Sequence, residues 1–396
     1  MKQNTLRIAH ITNNYTPFKG GVVQAIKAIV GQQEQQGNSC LIVTLDFAHN
    51  DFQEPFHVHR VPALFRCTYA ENQIAFPWRV KHNIRRVLTA WKPDVLHVHH
   101  PFLLGPAALR LAQQLHIPTV FSFHTIYEEY IHYIKIPAFI GKPITRALVR
   151  SFCNELESIL VPNSIIKKYV EKHDIKTPIT ILPNPIGNDI LPHVEPRIKK
   201  YLTLPLKLLV VSRLVPEKNI EALIDCMRIL AVDAHLIIAG YGYWQVSLEQ
   251  HIKKNFGNTN HPITFCINPS RQKLAELYSW ADLFLFASTS DTQGLVIAEA
   301  MAHGTPVIAL KGPGQEGVII NNYNGFLADS VVHMAALIFR ITLNPELYIK
   351  MQKGALESSK AYRADTIVKN LNNHYHELIG RYKPKSWYSL FLKSTV

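Results

Sequence analysis

Short apolar stretches alternate along the chain with longer amphipathic ones. In the first half, the apolar stretches predict buried strands at residues 6–13, 40–45, 94–100, 119–124 and 159–163. Between them, apolar positions recur at helical spacing in residues 22–32, 79–91, 105–115 and 144–156. Strands that alternate with helices are typical of a doubly wound parallel sheet. The first half therefore predicts one α/β domain.

A second alternating series follows a proline-rich stretch at 181–196, which is the best linker candidate. Its predicted helices lie at 219–230 and 271–280, and a helical ending spans 330–382. We expect two α/β domains of similar size, at 1–190 and 200–375. The predicted strands of the second domain are 206–214, 235–240, 263–267, 283–287, 306–310 and 325–328.

The stretch 288–310 (STSDTQGLVIAEAMAHGTPVIAL) carries two acids between a pair of predicted strands. Asp291 lies in the loop after the first strand, and Glu299 in the second turn of a helix that begins near Gly294. Ligands of open parallel sheets bind at the carboxyl ends of the strands, so both acids can face one site. The amino end of the helix also offers free N–H groups to a phosphate.

This stretch resembles the acid-x7-acid motif of retaining family 4 glycosyltransferases, whose first acid is usually Glu rather than Asp. The resemblance extends to about residue 375 and implies the GT-B fold, in which two Rossmann-like domains face a central cleft. It implies an acceptor-side first domain, a nucleotide-sugar-binding second domain, and a last helix at about 376–396 that packs back onto the first. It also implies that Glu299 binds the ribose, Asp291 the donor sugar, and Gly294 and Leu295 the donor.

Two cations and two glycines complete the expected donor site. Arg213 ends the strand 206–214 and Lys218 lies five residues on. Fixed cations stabilise the negative charge that grows on a departing diphosphate, and Arg grips phosphate with its planar fork. The pair matches the R-x4-K pair of the family, which binds the diphosphate. Gly20 and Gly21, before Val22, match a Gly-Gly-Val that lies over the donor phosphate and sugar in that family.

Histidines are the remaining catalytic candidates. The resemblance implies that His124, at the end of the strand 119–124, lies beside the donor sugar, so His124, Asp291, Arg213 and Lys218 form the expected catalytic set. His97, His99 and His100 have metal-like spacing, but no acid or cysteine cluster accompanies them. We interpret them as structural and expect no metal and no cofactor beyond the nucleotide sugar. The sequence offers no GxSxG or Cys–His nucleophile either.

The acceptor is indicated by residues 121–134 (FSFHTIYEEYIHYI) and by the TQGL variant at 292–295. Both resemble bacterial diacylglycerol glucosyltransferases, which are peripheral enzymes of the membrane surface. The basic amphipathic stretch 134–150 suits an interface with anionic lipid; the alternative is a helix packed on its own domain with its cations outward. The expected membrane and acceptor residues are Lys135, Lys142, Arg146 and Arg150. The tail 383–396 (KPKSWYSLFLKSTV) also has an interfacial composition.

Charge and composition narrow the function classes. The 396 residues carry 42 Lys and Arg against 29 Asp and Glu, a formal net charge of +13, which favours anionic partners. Zinc and helix-turn-helix patterns are missing, so we expect no nucleic-acid partner. No window approaches the roughly 18 apolar residues of a membrane span, the start does not resemble a secretory signal, and the five cysteines are dispersed. These features predict a cytoplasmic protein, and the resemblance implies that it is peripheral on the inner face of the cell membrane.

The resemblance therefore implies transfer of a hexose, with glucose from UDP-glucose favoured, to a membrane lipid such as diacylglycerol. UDP-galactose and GDP-mannose stay open as donors. A polysaccharide or polyprenyl-linked acceptor is one alternative. A nucleotide-sugar 2-epimerase is another, and it would turn over a UDP-sugar without any acceptor.

Overall fold

The computed structural model describes residues 5–18, 20–47, 56–69, 72–134, 136–256 and 262–383. The chain forms two compact units. Unit 1 holds the described residues up to Leu182 and from Ile367 onward, and unit 2 is Pro183–Thr366. The chain thus returns to unit 1 earlier than the expected residue 376, within its last helix.

Unit 1 contains a parallel sheet, a hairpin and five helices before its carboxyl-terminal segment. Its strands are β1 (Arg7–Ile11), β2 (Ser39–Leu45), β3 (Val58–Val61), β4 (Ala63–Tyr69), β5 (Asn72–Pro77), β6 (Val95–Val98), β7 (Thr119–Ser122), β8 (Ser158–Val161) and β9 (Ile179–Ile181). Its helices are α1 (Gly21–Gln35), α2 (Val80–Trp91), α3 (Leu104–Leu115), α4 (Ala138–Cys153) and α5 (Ser164–Glu171). A 3-10 helix at Tyr127–Ile134 precedes α4.

The seven-stranded sheet has the order β3-β2-β1-β6-β7-β8-β9, whereas β4 and β5 pair as a separate antiparallel hairpin. The strand order reverses between β1 and β6. Ligands of doubly wound sheets bind at the carboxyl ends of the strands beside such a reversal. The loops after β1, β6 and β7 are therefore where this unit should bind a ligand.

Unit 2 repeats the pattern with six strands and six helices. Its strands are β10 (Leu206–Arg213), β11 (Ala234–Tyr241), β12 (Ile263–Ile267), β13 (Leu283–Phe286), β14 (Val307–Leu310) and β15 (Gly325–Ala328). Its helices are α6 (Ile220–Ile229), α7 (Gln245–Phe256), α8 (Arg271–Trp280), α9 (Leu295–Ala302), α10 (Val331–Thr342) and α11 (Pro345–Ser359). The sheet order is β12-β11-β10-β13-β14-β15, and the reversal lies between β10 and β13.

The last helix, α12 (Ala364–Arg381), begins in unit 2 and continues into unit 1. Within unit 1 its apolar face packs with strands β1 and β2 and helix α1. The buried residues of α12 in this core are Val368, Leu371, Tyr375 and Leu378. Burial of apolar side chains against the sheet is the main force that fixes this helix.

The sequence pattern predicted most of the sheets but missed β3, the β4–β5 hairpin, α5, β9 and α7. Leu64 and Phe65 in the hairpin are 67% and 58% exposed, so their apolar character does not follow core burial. Helix α7 buries Leu248 and Phe256 only, and β9 is a three-residue edge strand. Patterning fails where an element is short or half-exposed. Among the described residues, no helix has the length and apolarity to cross a bilayer.

Candidate active site

The basic pair lies at the end of β10, beside the strand-order reversal of unit 2. Arg213 is the last residue of β10, and Lys218 closes a short 3-10 turn, Pro216–Lys218. The Lys218 side chain is 10% exposed, and its Nζ lies 2.7 Å from both Oδ1 and Oδ2 of Asp291. The two residues that the sequence assigned to diphosphate and sugar are therefore in direct contact.

Asp291 is held as a carboxylate. Burial alone would raise its pKa, but the Lys218 ammonium, hydrogen bonds from Lys218 and Ser288, and the charge of Arg213 together lower it. Backbone bonding fixes the loop itself, because the carbonyl of Glu217 accepts from the Thr289 N–H at 3.2 Å. The loop after β13 and the turn after β10 are thus one hydrogen-bonded unit.

Arg213 is less enclosed than Lys218. Its side chain is 30% exposed, and its Nη2 lies 3.4 Å from Oε1 of Glu217. That distance marks a weak contact between the guanidinium and Glu217.

Gly294 starts α9 in a backbone conformation that only glycine adopts easily. Its φ is +67°, and a Cβ there would lie 3.1 Å from Ile297 and 3.3 Å from Phe286. Leu295 is the first helical residue. Gly314, in the loop after β14, is equally constrained, because its Cβ would lie 2.8 Å from the carbonyl oxygen of Asp291. Glycine at both positions lets the chain pack tightly around Asp291.

Glu299 lies on α9 with its side chain 5% exposed. Its Oε2 accepts from the Tyr278 hydroxyl at 2.7 Å, and its Oε1 accepts from Arg271 Nη1 at 3.0 Å. Burial and the Glu299 charge raise the pKa of Tyr278. Each carboxylate oxygen keeps a second lone pair, so Glu299 retains acceptor capacity for hydroxyl groups.

Sequence reasoning missed Arg271 and Tyr278. Arg271 also donates from Nε to Asp189 Oδ2 at 3.0 Å, which places it between two acids. A signal for Arg271 exists in the sequence: it is the first residue of α8, where the helix dipole disfavours a cation unless an anion is near. Nothing in the sequence marks Tyr278.

Gln293 of the TQGL variant is buried and bonds to the linker. Its Oε1 accepts from the backbone N–H of Asn184 at 2.7 Å, and its Nε2 donates to the Asn184 carbonyl at 2.9 Å. This residue therefore secures the start of unit 2 to the Asp291 loop.

In unit 1, Gly20 and Gly21 begin α1 after the first strand. Gly20 precedes the helix with φ −139°, which any residue adopts, and a Cβ there would meet nothing within 4 Å in the described structure. Internal packing therefore does not account for glycine at this position.

Four histidines of unit 1 form two hydrogen-bonded groups. His10 Nε2 lies 2.9 Å from Gln33 Oε1, His10 Nδ1 lies 3.1 Å from His99 Nε2, and His99 Nδ1 lies 2.9 Å from His124 Nε2. His97 contacts Tyr375 OH at 2.6 Å and Ser122 Oγ at 2.8 Å instead. His99, which sequence reasoning dismissed as structural, thus contacts the candidate His124.

Nitrogen atoms of His10, His97 and His99 lie within 4.8 Å of one another, which is close enough for a metal. Both nitrogens of His97, however, contact hydroxyl groups, and His10 and His99 contact each other. The geometry is that of a hydrogen-bonded network. Burial lowers the pKa of His10 and His100 to about 4 and, with a contribution from His100, that of His124 to about 3.

The described part of the basic stretch has its cations paired with acids. Lys142 Nζ lies 2.8 Å from Glu129, Arg146 Nη2 2.7 Å from Glu128, and Arg150 Nη1 3.5 Å from Asp174. Lys135 and the tail residues 384–396 lie outside the described residues. Counting charges along the sequence did not reveal this pairing, which reduces the positive charge that α4 presents.

Comparison with known protein families identifies the class of enzyme in which such a site occurs. Residues 19–189 match the model of Glycosyltransferase Family 4, and residues 197–357 match that of Glycosyl transferases group 1. The two matched regions together cover most of the chain, which is therefore a glycosyltransferase. Each of the two units carries one of the matched regions for most of its length.

Three relatives of this glycosyltransferase have described activities. It is 27% identical to an alpha-monoglucosyldiacylglycerol synthase of Streptococcus pneumoniae. The alignment covers 81% of this chain and 75% of that synthase. It is 25% identical over 96% of its length to 99% of the Acholeplasma laidlawii synthase of the same name. It is 23% identical over 95% of its length to 98% of a GDP-mannose-dependent alpha-mannosyltransferase of Mycolicibacterium smegmatis.

Solved structures establish the fold. The Anabaena protein HepE, solved in complex with UDP-glucose, is similar with a TM-score of 0.72 at 16% identity, over 94% of this chain and 100% of that one. This glycosyltransferase therefore has the GT-B fold, as the sequence resemblance predicted.

Proposed function

We propose that this glycosyltransferase transfers a hexose, with glucose from UDP-glucose favoured, to a membrane lipid such as diacylglycerol with retention of configuration. The observation that carries the proposal is the grouping of Arg213, Lys218 and Asp291 at the strand-order reversal of unit 2. A nucleotide sugar combines a diphosphate with hydroxyl groups, and this set offers cations for the first and a carboxylate for the second.

Each donor-binding role follows from the chemistry of a side chain. An ammonium group has three N–H bonds. In Lys218, two aim at Asp291, and the third is available to the leaving diphosphate together with the Arg213 fork. Glu299 would accept from ribose hydroxyls while Arg271 and Tyr278 hold it. Unit 2 is thus assigned the donor, and Gly20, Gly21 and His124 of unit 1 the phosphate and sugar.

For the chemistry at the sugar we take the front-side route that the family resemblance implies, in which no side chain forms a covalent bond to the sugar. In a retaining transfer of this type, the acceptor hydroxyl attacks from the side on which the phosphate leaves. Its proton passes to the departing phosphate oxygen, while the cations stabilise the growing negative charge. The protein's contribution is positioning and electrostatics, with the nucleotide sugar as co-substrate and no metal assigned a role.

Exposed apolar residues of α4 favour a lipid acceptor. Ile140, Ile144 and Leu148 recur every fourth residue and are 44%, 52% and 55% exposed, and Phe139 is 79% exposed. The stripe is exposed to solvent, and the cations of the same helix are themselves partly exposed while they contact acids. An apolar stripe flanked by charges suits peripheral binding at the cytoplasmic membrane face. Two of the relatives named above are lipid glucosyltransferases.

One experiment tests donor and acceptor together. Radiolabelled UDP-glucose, UDP-galactose and GDP-mannose are each incubated with the protein and diacylglycerol vesicles, and the lipid is extracted. We expect label in a glycolipid from UDP-glucose. Label in a soluble product only, with a polysaccharide acceptor present, would assign another acceptor, and conversion of a UDP-sugar without acceptor would indicate an epimerase. A mannolipid from GDP-mannose would contradict the donor assignment, which the mannosyltransferase relative makes worth testing.

A further inference from the structure

The side-chain amide of Gln315 joins the ends of two neighbouring strands of unit 2. Gln315 lies in the loop that follows β14 and is fully buried. Its Nε2 donates to the carbonyl of Leu310, the last residue of β14, at 3.0 Å and to the carbonyl of Ser288, two residues after β13, at 2.8 Å. The last residues paired between the two strands are Phe286 and Ala309. The amide therefore continues the link between β13 and β14 beyond the point where their backbone pairing ends.

The two partners of this amide fix its orientation. Both are backbone carbonyl oxygens, which only accept hydrogen bonds. In the reversed orientation the Gln315 Oε1 atom would face two other acceptors, so the NH2 group must lie on this side. A neutral group with two N–H donors is what the contact needs. Glutamate and methionine have a similar length, but neither has an N–H bond to donate.

Two glycines let the loop after β14 approach the loop after β13. A Cβ on Gly312 would lie 2.6 Å from Gln315 Nε2 and 2.9 Å from the Ser288 carbonyl oxygen, closer than a Cβ normally approaches. A Cβ on Gly314 would lie 2.8 Å from the Asp291 carbonyl oxygen. Residues 312–315 are thus packed directly against both ends of the segment 288–291.

Ser288 connects this contact to the Asp291 carboxylate. Burial raises the pKa of Asp291, but the Lys218 ammonium, a hydrogen bond from the Ser288 side chain and the charge of Arg213 lower it. The position of Ser288 therefore affects both where the carboxylate lies and how strongly it stays ionised. Because Gln315 holds the backbone of Ser288, it acts on Asp291 from a distance of two contacts.

We propose that Gln315 is a positioning residue for Asp291, whose amide holds the Ser288 carbonyl against β14 and so places the Asp291 carboxylate beside Lys218. The substrate part of this inference rests on the proposed function, in which Asp291 binds hydroxyl groups of the donor sugar. Without the amide, two buried carbonyls lose their common donor, and the segment 288–291 shifts to find other partners. Asp291 then loses hydrogen bonding from Ser288, which raises the pKa of its carboxyl and misplaces it for a sugar.

A comparison of Gln315→Met with Gln352→Met tests the inference, because both glutamines are buried in unit 2. Gln352 lies on α11 and is 2% exposed. Its side chain donates to the Lys199 carbonyl at 2.8 Å and accepts from the Lys199 N–H at 2.9 Å. Methionine keeps the length of the side chain and removes its hydrogen bonds. Both variants should therefore have a lower Tm than wild type, by similar amounts.

Two measurements separate positioning from stability. Carbon-13 NMR titration of the carboxyl-labelled aspartates, without substrate, gives the pKa of Asp291, and its signal is assigned by its loss in Asp291→Asn. We expect Asp291 to titrate at higher pH in Gln315→Met and as in wild type in Gln352→Met. With diacylglycerol vesicles as acceptor, KM for UDP-glucose should rise about tenfold in Gln315→Met, the effect of one hydrogen bond. It should stay unchanged in Gln352→Met.

Gly312→Ala disturbs the same contact but keeps the amide, because the new Cβ must displace Gln315 Nε2 or the Ser288 carbonyl. It should shift the Asp291 titration in the same direction, and it replaces Gln315→Met if that variant does not fold. An Asp291 titration and a KM that both match wild type in Gln315→Met would reduce Gln315 to a structural residue. If Asp291 titrates at higher pH in Gln315→Met but wild type transfers no sugar to any acceptor, the proposed function fails while the positioning role stands.

Discussion

The Lys218 ammonium lies 2.7 Å from each carboxylate oxygen of Asp291. This contact joins the turn after β10 to the loop after β13, the two segments beside the strand-order reversal of unit 2. It also makes the two residues interdependent. A substitution that removes the charge of one residue leaves the other as a partly buried charge without this partner.

Loss of Lys218 should therefore damage both activity and stability. We expect Lys218→Met to abolish sugar transfer and to lower the free energy of unfolding by about 2 kcal/mol, less than for a fully buried pair because Asp291 is 24% exposed. In Lys218→Met/Asp291→Asn the loss of stability should be smaller than the sum of the single losses. The control is Lys311→Met, which breaks a surface pair with Asp329. Wild-type transfer in Lys218→Met would refute the donor site.

Much of this site was predictable from sequence, because its residues follow strands whose apolar pattern is unambiguous. Arg213 ends such a strand and Asp291 lies in the loop after another, and the carboxyl ends of neighbouring parallel strands meet at one edge of the sheet. Partners across the fold were not predictable. The Tyr278 hydroxyl reaches Glu299 from another helix, and the pairing of Arg146 with Glu128 depends on side-chain directions that the spacing of charges does not reveal.

Arg271 should act on donor binding by orienting Glu299. Removing its guanidinium leaves one oxygen of a buried carboxylate without its donor, so we expect Arg271→Met to raise KM for the nucleotide sugar about tenfold with a smaller change in kcat. Glu299→Ala should abolish transfer. Lys273→Met is the matched control, since Lys273 lies on the same helix but pairs with Glu276 at the surface. An unchanged KM for the nucleotide sugar in Arg271→Met would contradict the assignment of Glu299 to ribose binding.

Gln293 should matter for stability more than for acceptor choice. Although the TQGL variant resembles lipid glucosyltransferases, Gln293 bonds to the backbone of Asn184 rather than pointing outward. We expect Gln293→Ala to lower the free energy of unfolding by about 2 kcal/mol, because the backbone N–H and carbonyl of Asn184 lose their hydrogen bonds to Gln293. Denaturant unfolding measures this free energy, and the control is Gln245→Ala, because Gln245 is partly exposed. A switch from a lipid to a soluble acceptor in Gln293→Ala would show instead that Gln293 determines acceptor specificity.

The apolar stripe of α4 should decide vesicle binding. We expect Phe139→Ser/Leu148→Ser to weaken binding to anionic vesicles severalfold, since each side chain would bury apolar area in the interface. Hydrolysis of the nucleotide sugar in the absence of vesicles should be unchanged. Val332→Ser is the matched control, because Val332 is 70% exposed on unit 2. Equal weakening by Val332→Ser, or none by the α4 variant, would assign the membrane contact elsewhere, with the tail 384–396 as the next segment to delete.

Buried neutral histidines should make the protein acid-sensitive. The pKa of His10 and His100 is lowered to about 4 and that of His124 to about 3, against about 6.5 in an unfolded chain. Below about pH 6.5 these histidines bind protons in the unfolded chain but not in the folded protein. Their full contribution to the free energy of unfolding is therefore present only above that pH. It falls by up to about 1.4 kcal/mol per pH unit for each such histidine, until the folded pKa is reached.

Urea unfolding at pH 7.5, 6 and 5 measures the slope. His10→Gln removes one of these histidines without emptying its site, so its stability should fall less steeply between pH 6 and pH 5 than that of wild type. His235→Gln serves as the control, because it removes a half-exposed histidine that contacts Thr264 at the sheet surface, outside the buried histidines. Equal slopes for His10→Gln and wild type would mean that His10 takes up a proton in the folded protein as readily as in the unfolded chain.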